Sequence, residues 1–243
     1  MRIFITGASS GLGEEFARQY ASSEVELILL ARRKDKLQKL QLELTPKCKS
    51  VEIIIADVTA FDELQEKMKL LGAVDIVILN AGISLGHSAD ITPFSEFKKL
   101  YDVNLLANHA ILEILLPRFV EQKSGKIVFI SSLASLISMP SAKAYSSSKR
   151  ALNAYAEAIR YKYKKEGIKV INILPGFIQS ELTDKNTFYM PFLLSAQEGV
   201  KRMKNAIEKN RRLYAFPLRF NLIILALNLL PNFLREKIVD FLN

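Results

Sequence analysis

Several residue types that carry common kinds of site are scarce in this sequence. The 243 residues include one cysteine, Cys48, and two histidines. One thiol cannot form an intramolecular disulfide or a cysteine-based zinc cluster, and it fits a reducing compartment. We therefore expect a cytoplasmic protein without a metal site. His87 and His109 fall in no motif, so we expect ordinary surface or cleft positions for both.

Long apolar runs, repeats and linkers are lacking as well. The longest uncharged stretch, 220–234, is shorter than the roughly 20 apolar residues that span a bilayer. The run Ile3-Phe4-Ile5 is too short for a signal peptide, and a glycine-rich turn follows it at once. With 49% hydrophobic and 24% charged residues, disorder, collagen and coiled coil are excluded. We expect one domain over 1–243, of which 183–243 is a lid and tail region.

The net charge of +9 raises the question of an anionic partner. Such an excess is found in proteins that bind nucleic acid or anionic membranes. Here the Lys and Arg residues concentrate in 32–49, 160–169 and 201–219. Because the excess is regional, we expect no nucleic-acid partner.

Short Val/Ile/Leu-rich runs alternate with longer segments of helical period, which indicates an α/β fold with a doubly wound, Rossmann-like parallel sheet and helices on both faces. The predicted strands are 2–6, 25–31, 51–56, 76–79, 126–131, 170–174 and a short seventh at 213–216. The predicted helices are 12–22, 34–44, 61–71, 94–123, 145–166 and 197–209. Ligands of such sheets bind beyond the carboxyl ends of the strands, so the residues after each strand are the candidate site.

The first strand runs into a glycine-rich turn and then a helix. The turn reads Thr6-Gly7-Ala8-Ser9-Ser10-Gly11-Leu12-Gly13. Glycines permit a tight turn and close backbone approach, and amides at a helix start can hold a pyrophosphate. A plain strand-to-helix turn is the alternative.

Arg32 and Arg33 follow the second strand, about 20 residues beyond the glycines. An acidic residue there would bind the ribose 2′-hydroxyl of NAD, whereas arginine can neutralise a 2′-phosphate. The position favours NADP over NAD. The alternative is that both arginines begin a solvated basic helix.

Ser132 follows the fifth strand, and Tyr145 and Lys149 lie further along at helical i, i+4 spacing. A nearby ammonium favours phenolate, so we expect Lys149 to lower the pKa of Tyr145. Ser132 can hydrogen-bond a substrate oxygen as charge develops on it. The spacing alone is weak, because Tyr161 and Lys165 share it on what reads as a solvated face, and Ser132 is one of several serines in its loop.

With these motifs in order, residues 1–182 resemble the short-chain dehydrogenase/reductase superfamily. The resemblance implies hydride transfer between a nicotinamide cofactor and a carbonyl or alcohol substrate. It implies Ser132, Tyr145 and Lys149 as the catalytic set, with Asn104 as its fourth member. In that family the Asn interrupts a helix and anchors a water in the proton relay.

The resemblance also assigns cofactor contacts after the third, fourth and sixth strands. Ser180 stands where the family has Thr, and we expect its hydroxyl and amide to be available to the nicotinamide carboxamide. The full predicted cofactor set is Gly7, Ser9, Ser10, Gly11, Leu12, Gly13, Arg32, Arg33, Asp57, Val58, Asn80, Ala81, Gly82, Tyr145, Lys149, Pro175, Gly176, Ile178 and Ser180.

The carboxyl-terminal region has several interpretations. An apolar lid at 188–194 favours a bulky hydrophobic substrate, and the tail lacks the Gly-rich end that recurs in 3-oxoacyl-carrier-protein reductases. Basic residues in 201–219 followed by the apolar stretch 222–230 fit peripheral membrane contact. A helix packed over the cleft or against a second subunit would need the same apolar residues.

Two further expectations concern assembly and activity. Helices 94–123 and 145–166 resemble the pair that forms a four-helix dimer interface in this family, with Leu106, Ala110 and Leu116 on the first. We expect a homodimer. The alternative to an enzyme is a non-catalytic NADP-binding sensor or scaffold, although such a protein has no need of an intact Ser132, Tyr145 and Lys149 set.

Overall fold

A computed structural model describes residues 1–85, 91–184, 186 and 188–242. Seven parallel strands form one sheet in the order β3-β2-β1-β4-β5-β6-β7. The strands are β1 Arg2–Thr6, β2 Glu26–Ala31, β3 Ser50–Ile55, β4 Ile76–Leu79, β5 Lys126–Ile130, β6 Lys169–Pro175 and β7 Leu213–Phe216. The predicted strands are confirmed, with each end within one residue of its predicted position.

Helices cover both faces of the sheet, as the sequence predicts. They are α1 Gly11–Tyr20, α2 Lys34–Leu44, α3 Phe61–Leu70, α4 Phe94–Tyr101, α5 Ala107–Gln122, α6 Lys143–Tyr163, α7 Ala196–Glu208, α8 Leu218–Leu229 and α9 Asn232–Leu242. Side chains of α1, α2 and α7 pack with one face, and those of α3, α5 and α6 with the other. Alternate residues of a strand point to opposite faces, so Ile3 and Ile5 join the first core and Phe4 the second.

The single helix predicted over 94–123 is interrupted. A π-helical segment, Asp102–Leu106, joins α4 to α5. Asn104 is fully buried in it, and its side chain exchanges hydrogen bonds with the main chain of Ile83 at 2.9 and 3.1 Å. Apolar residues continue through this segment, so the composition of 94–123 alone does not reveal the wider helical turn. The interruption implied by the family resemblance is confirmed.

The apolar face of α5 belongs to the core rather than to a free surface. Leu106 is 45% exposed, but Ala110 and Leu116, both expected at a dimer interface, are 7% and 8% exposed and pack in the second core. Among the described residues, Phe94–Gln122 is the one helical stretch long and apolar enough to cross a membrane, and 56% of its apolar window is buried inside the protein. A core helix meets the same criteria.

The tail forms two helices that cover the carboxyl edge of the sheet, meaning the edge at which the strands end. Ile224 of α8 and Val239 of α9 are buried with Leu133, Ile137 and Leu174 in a third cluster. The Asn228 side chain donates to the Leu136 carbonyl at 2.7 Å. The tail therefore packs beside the loop that follows β5.

The basic and apolar parts of the tail lie at opposite ends of β7. Leu213 pairs with Asn172 and Phe216 with Pro175, so β7 runs from the amino edge of the sheet to its carboxyl edge. Arg211 and Arg212 precede the strand, whereas the apolar helix α8 follows it. Of the basic residues that the sequence interpretation joined to the apolar stretch, Arg211 and Arg212 therefore lie apart from α8, whereas Arg219 lies on it.

Candidate active site

The turns that follow β1 and β4 are tied together at the carboxyl edge. The Thr6 hydroxyl oxygen accepts from the amides of Asn80 and Ala81, each at 3.0 Å. In return, the Asn80 side chain donates to the Thr6 carbonyl at 3.0 Å. The sequence analysis gave Thr6 no role, although a hydroxyl at the last position of a strand is a signal for such a tie. These bonds fix the floor of a cleft.

Three glycines shape that cleft for a large anionic ligand, and we call them the glycine cradle. Gly7 and Gly11 have φ of 68° and 55°, a region that side chains disfavour. A Cβ on Gly13 would clash with the Gly7 carbonyl and lie 2.7 Å from the Asn80 Nδ2 atom. Since α1 begins at Gly11, its first amides have no acceptor within the helix. The cradle thus fits the pyrophosphate of a dinucleotide.

The two arginines after β2 turn toward different parts of the cleft. Arg33 donates through Nε to the Ser9 hydroxyl at 3.1 Å and through Nη2 to the Ser10 hydroxyl. Arg32 donates to the Asp57 carboxylate at 3.2 Å. Both arginines precede α2, so neither is part of the basic helix itself. Their guanidinium groups flank the space beside the glycine cradle.

Asp57 is held ionised at the same edge. Burial would raise its pKa, but hydrogen bonds from Thr59 and Arg32 together bring the pKa below its usual value. The Thr59 amide and hydroxyl donate to one carboxylate oxygen at 2.9 and 2.8 Å. Val58, beside it, is 8% exposed. The loop after β3 therefore offers a fixed acceptor with a buried neighbour.

Ser132, Tyr145 and Lys149 come together where β5 ends and α6 begins. The Ser132 and Tyr145 side chains share a hydrogen bond. The Ser132 hydroxyl oxygen also accepts from the Ala134 amide at 3.1 Å. One helical turn beyond Tyr145, the Lys149 ammonium lies 5.9 Å from the centre of the phenol ring. The predicted trio thus forms one cluster.

Asn104 and Lys149 close this cluster from below. Lys149 is 4% exposed and donates to the Ile130 carbonyl at 2.9 Å. A Cβ on Gly82 would lie 3.3 Å from the Asn104 Oδ1 atom and 3.4 Å from the Lys149 Nζ atom, so Gly82 lies between the two. The Asn104 side chain also donates to the Ser148 hydroxyl at 3.1 Å. The sequence analysis missed Ser148, although its place one residue before Lys149 could have indicated it.

Burial governs the protonation of this cluster. It raises the pKa of Tyr145, and the bond to Ser132 opposes the rise only in part. It lowers the pKa of Lys149 to about 8. The expected net lowering of the Tyr145 pKa is wrong, because burial disfavours the phenolate by more than the neighbouring groups favour it. Tyr145 is a protonated phenol at neutral pH.

The loop after β6 differs from expectation at Ser180. Its amide donates to the Thr183 hydroxyl at 2.8 Å, so this amide is engaged. The Ser180 hydroxyl makes two long contacts, each 3.4 Å, with the Ile178 carbonyl and the Thr183 hydroxyl. Nearby, the Gly176 amide donates to the Phe216 carbonyl at 2.7 Å, and Pro175 ends β6. Thr183 lay outside the matched motif, and sequence reasoning missed it.

Aromatic side chains from the lid and from α8 meet at the carboxyl edge, where Phe220 packs against the third cluster, which contains Leu133. Phe177 lies 5.7 Å from Phe188 and 5.8 Å from Phe220, measured between ring centres, and Phe192 lies 6.0 Å from Phe220. We call these four residues the aromatic wall. The wall gives the cleft an apolar side.

Two cavities mark the ends of the molecule. One of about 70 Å³ adjoins Tyr145 and is lined by apolar residues such as Leu85 and Ile91 and by polar residues such as Glu96. A larger one of about 180 Å³ lies at the amino edge beside Tyr20 and Lys126. The larger cavity contains none of the predicted site residues, so the cavity at Tyr145 is the one relevant to the site.

The remaining candidates lie apart from the cluster. Tyr161 is 67% exposed and donates to Glu157 at 2.5 Å, which confirms the solvated face predicted for the second Tyr–Lys pair. His109 is exposed on α5 and shares a 2.8 Å hydrogen bond with Tyr155. His87 lies outside the described residues. The residues searched, which exclude 86–90 and a few others, contain no group of His, Cys, Asp or Glu that could hold a metal ion.

Known proteins are similar to this chain in sequence. The family model described as short chain dehydrogenase matches residues 1–188. An uncharacterized oxidoreductase of Myxococcus xanthus is 34% identical over 94% of this chain and 92% of its own length. Dehydrogenase/reductase SDR family member 7 of Mus musculus is 30% identical over 88% of this chain and 63% of its own length.

Solved structures agree in fold. A short-chain dehydrogenase from Sphingobium yanoikuyae in complex with NADPH superposes with a TM-score of 0.83 at 23% identity, covering 93% of this chain and 92% of that one. A serine dehydrogenase complexed with NADP+ gives 0.79 at 22% identity, covering 89% and 94%. Together with the family match, the glycine cradle and the Ser132, Tyr145 and Lys149 cluster identify an NAD(P)-dependent dehydrogenase or reductase, and the chain belongs to the short-chain dehydrogenase/reductase family.

Proposed function

We propose that this protein is an NADP-dependent oxidoreductase that interconverts a carbonyl and an alcohol on an apolar substrate, with Asn104, Ser132, Tyr145 and Lys149 as its catalytic set. The observation that carries the proposal is the cluster itself. A protonated Tyr145 hydrogen-bonded to Ser132, with Lys149 5.9 Å from its ring, adjoins a cradle shaped for a dinucleotide. The remaining predicted cofactor residues line the same edge.

Each side chain then has a role in carbonyl reduction. A nicotinamide cofactor held between the glycine cradle and this cluster would supply the hydride. Ser132 donates a hydrogen bond to the substrate oxygen as negative charge develops on it, and Tyr145 donates the proton that completes the alcohol. Lys149 holds the cofactor ribose and stabilises the phenolate left on Tyr145. Asn104 keeps the π-helical segment in place beneath Lys149 and anchors the water through which the proton is replaced.

The proposal is tested by mixing the protein with NADPH and a panel of aldehydes, ketones and quinones. Loss of the reduced cofactor's absorbance with at least one carbonyl is expected. A sensor or scaffold with this fold would bind NADPH and leave it unoxidised throughout the panel. The tight packing of the cluster favours the enzyme over that alternative.

The two arginines beside the cradle predict a preference for NADP over NAD. A charge-assisted hydrogen bond contributes on the order of 1.5 to 3 kcal/mol, or roughly 10- to 100-fold in affinity. Because Arg32 and Arg33 are 59% and 43% exposed, we expect the lower end, about tenfold, from each. Calorimetry should therefore show a selective loss of NADP affinity in Arg32→Ala and Arg33→Ala.

Arg211→Ala is the matched control for that measurement, because Arg211 is exposed at the amino edge. It should leave both affinities unchanged. Equal dissociation constants for NADP and NAD in the wild type would overturn the cofactor assignment. A general basic field would instead weaken both cofactors in all three variants and respond steeply to salt.

The aromatic wall supports an apolar substrate. Phe177, Phe188, Phe192 and Phe220 would contact the part of the substrate that extends away from its carbonyl. In the carbonyl panel, KM should fall as the apolar group of the substrate lengthens. Each buried methylene contributes roughly 0.8 kcal/mol of binding free energy, which corresponds to a decrease in KM of roughly fourfold. Indifference of KM to chain length would argue against this use of the wall.

A homodimer is proposed through the outer faces of α5 and α6. With Ala110 and Leu116 in the core, the surface left for contact comprises residues such as Leu106, His109 and Tyr161. We expect sedimentation at micromolar concentration to show a species of twice the 27.4 kDa chain mass. Leu106→Glu should shift it toward the monomer. A single 27.4 kDa species in the wild type would contradict the dimer.

Membrane contact is proposed through the tail, on a different physical basis from charge. Leu218, Leu222, Leu225, Leu229 and Phe233 are each at least 45% exposed. Arg211 and Arg212 lie at the other edge of the sheet, and Arg219 is the single cation of α8. A helix of 12 residues is too short to span a bilayer but can lie in its interface. Flotation with neutral and with anionic liposomes should give similar, salt-insensitive binding.

Leu222→Ser combined with Leu229→Ser should abolish that flotation without affecting NADP binding. A protein that stays in the aqueous fraction with every liposome and salt concentration would contradict membrane contact. The better description is then a cytoplasmic enzyme whose tail covers the substrate cleft.

A further inference from the structure

The loop after β6 is attached to the cofactor side of the cleft by one carboxylate. Glu181 accepts from Arg33 at 2.8 Å with one oxygen and from Lys36 at 2.5 Å with the other. It is 51% exposed, so the contact lies at the mouth of the cleft rather than inside the core. Glu181 follows Ser180, the residue expected at the nicotinamide. One side chain therefore connects the two ends of the cofactor site.

The loop and the glycine cradle are also in direct contact beside this carboxylate. A Cβ on Gly11 would lie 3.2 Å from the Ser180 Cβ. Arg33 is meanwhile fixed against the cradle by its bonds to Ser9 and Ser10. The Arg33 donors that a 2′-phosphate would use thus already serve an anion of the protein.

We propose that Glu181 is a cofactor-specificity residue that competes with the 2′-phosphate of NADP for Arg33. This inference rests on the proposed NADP dependence. NADP must displace the carboxylate to pair with Arg33, whereas NAD carries a neutral 2′-hydroxyl and has no such competitor. Glu181 thereby reduces the preference for NADP that the arginines alone would produce.

The charge balance at this site supports competition rather than simple coexistence. Arg33 and Lys36 supply two positive charges, and Glu181 already neutralises one of them. A 2′-phosphate carries up to two negative charges, and it meets a net charge of +1 while the Glu181 contact is intact but +2 once that contact is released, so release of Glu181 strengthens its attraction. The side-chain bonds from Lys36 and Arg33 hold the pKa of Glu181 at about 2. Protonation therefore does not relieve the competition at any pH at which the enzyme works.

The competition also links the loop to the choice of cofactor. When the 2′-phosphate takes Arg33, the loop that carries Ser180 and Thr183 loses its tie to that side of the cleft. Lys36 remains as its partner across the cleft. NADP and NAD are thus expected to leave this loop with different freedom to move.

The test is Glu181→Gln in the full chain, with NADP and NAD titrated separately by calorimetry. The neutral amide keeps the size of the side chain and removes its charge. The dissociation constant for NADP should fall by about threefold to tenfold, while that for NAD should change less than twofold. Glu198→Gln is the matched control, because Glu198 forms a similar 2.7 Å exposed pair with Arg202 on α7 and lies outside the predicted site.

A double variant then tests the route of the effect. In an Arg33→Ala background, Glu181→Gln should bring less than a twofold gain in NADP affinity, because the shared donor is missing. Unchanged NADP affinity in Glu181→Gln, or an equal gain for both cofactors, overturns the inference but leaves NADP dependence standing. A wild type that binds neither dinucleotide overturns both proposals.

Discussion

Replacing Tyr145 with Phe should lower kcat for carbonyl reduction by a factor of about 10² to 10⁴ while leaving NADPH affinity within a few fold. The phenol hydroxyl is the group that donates the proton, and its pKa is raised by burial, so it is protonated at neutral pH. Phe keeps the ring and its packing but has no proton to give. Steady-state kinetics with the best carbonyl of the panel, together with a cofactor titration, measure both quantities.

Tyr161→Phe is the matched control, because Tyr161 lies on α6 as well and a lysine, Lys165, follows it at the same spacing in sequence. Its hydroxyl donates to Glu157 on an exposed surface, so its removal should leave kcat within twofold. If Tyr145→Phe reduces the substrate as fast as the wild type, the proton donor has been assigned incorrectly. If both variants lose activity equally, the loss reflects the helix rather than the phenol.

Replacing Lys149 with Met should lower kcat by a factor of about 10² to 10³, through loss of the charge that stabilises the phenolate and holds the cofactor ribose.

The same change should alter how the free energy of unfolding depends on pH. Lys149 has its pKa lowered by burial to about 8, from 10.5 in an exposed lysine. Between these values the unfolded chain binds a proton that the folded protein has released, so stability rises with pH.

Urea unfolding at pH 7 and pH 10 measures this contribution. Between pH 7 and pH 10, the free energy of unfolding of the wild type should rise by up to about 3 kcal/mol more than that of Lys149→Met. The reason is that one pKa unit corresponds to about 1.4 kcal/mol. Lys165→Met, at the exposed second pair, should follow the wild type in both kinetics and stability. A pH-independent difference between wild type and Lys149→Met would mean that Lys149 titrates normally in the folded protein.

The fold and most of the site follow from local sequence patterns. Short apolar runs between helical segments predict all the strands, because central strands buried on both faces need apolar residues at every position. The edge strand Leu213–Phe216 is apolar as well, although it is only partly buried. The order of parallel strands then brings the residues after β1, β2, β4 and β5 to one edge. Ser132, Tyr145 and Lys149 meet there as predicted, since a strand end and one helical turn suffice to place them.

The errors concern features that depend on packing between distant segments. Ala110 and Leu116 read equally well as interface or core, because an apolar helical face does not reveal what covers it. The pKa of Tyr145 depends on how fully α6 is buried, which spacing does not express. Glu181 lies 148 residues beyond Arg33, and no local pattern indicates that the two meet.

The most direct measurement of the central claim follows hydride from cofactor to product. NADPH carrying deuterium on the transferring face of its nicotinamide C4 is incubated with the protein and the best carbonyl of the panel, and the alcohol is analysed by mass spectrometry. The account predicts one deuterium on the carbinol carbon of each alcohol formed by the wild type, and almost no alcohol with Tyr145→Phe. Oxidation of the cofactor without deuterium in the alcohol, or equal labelled product from both proteins, would contradict it.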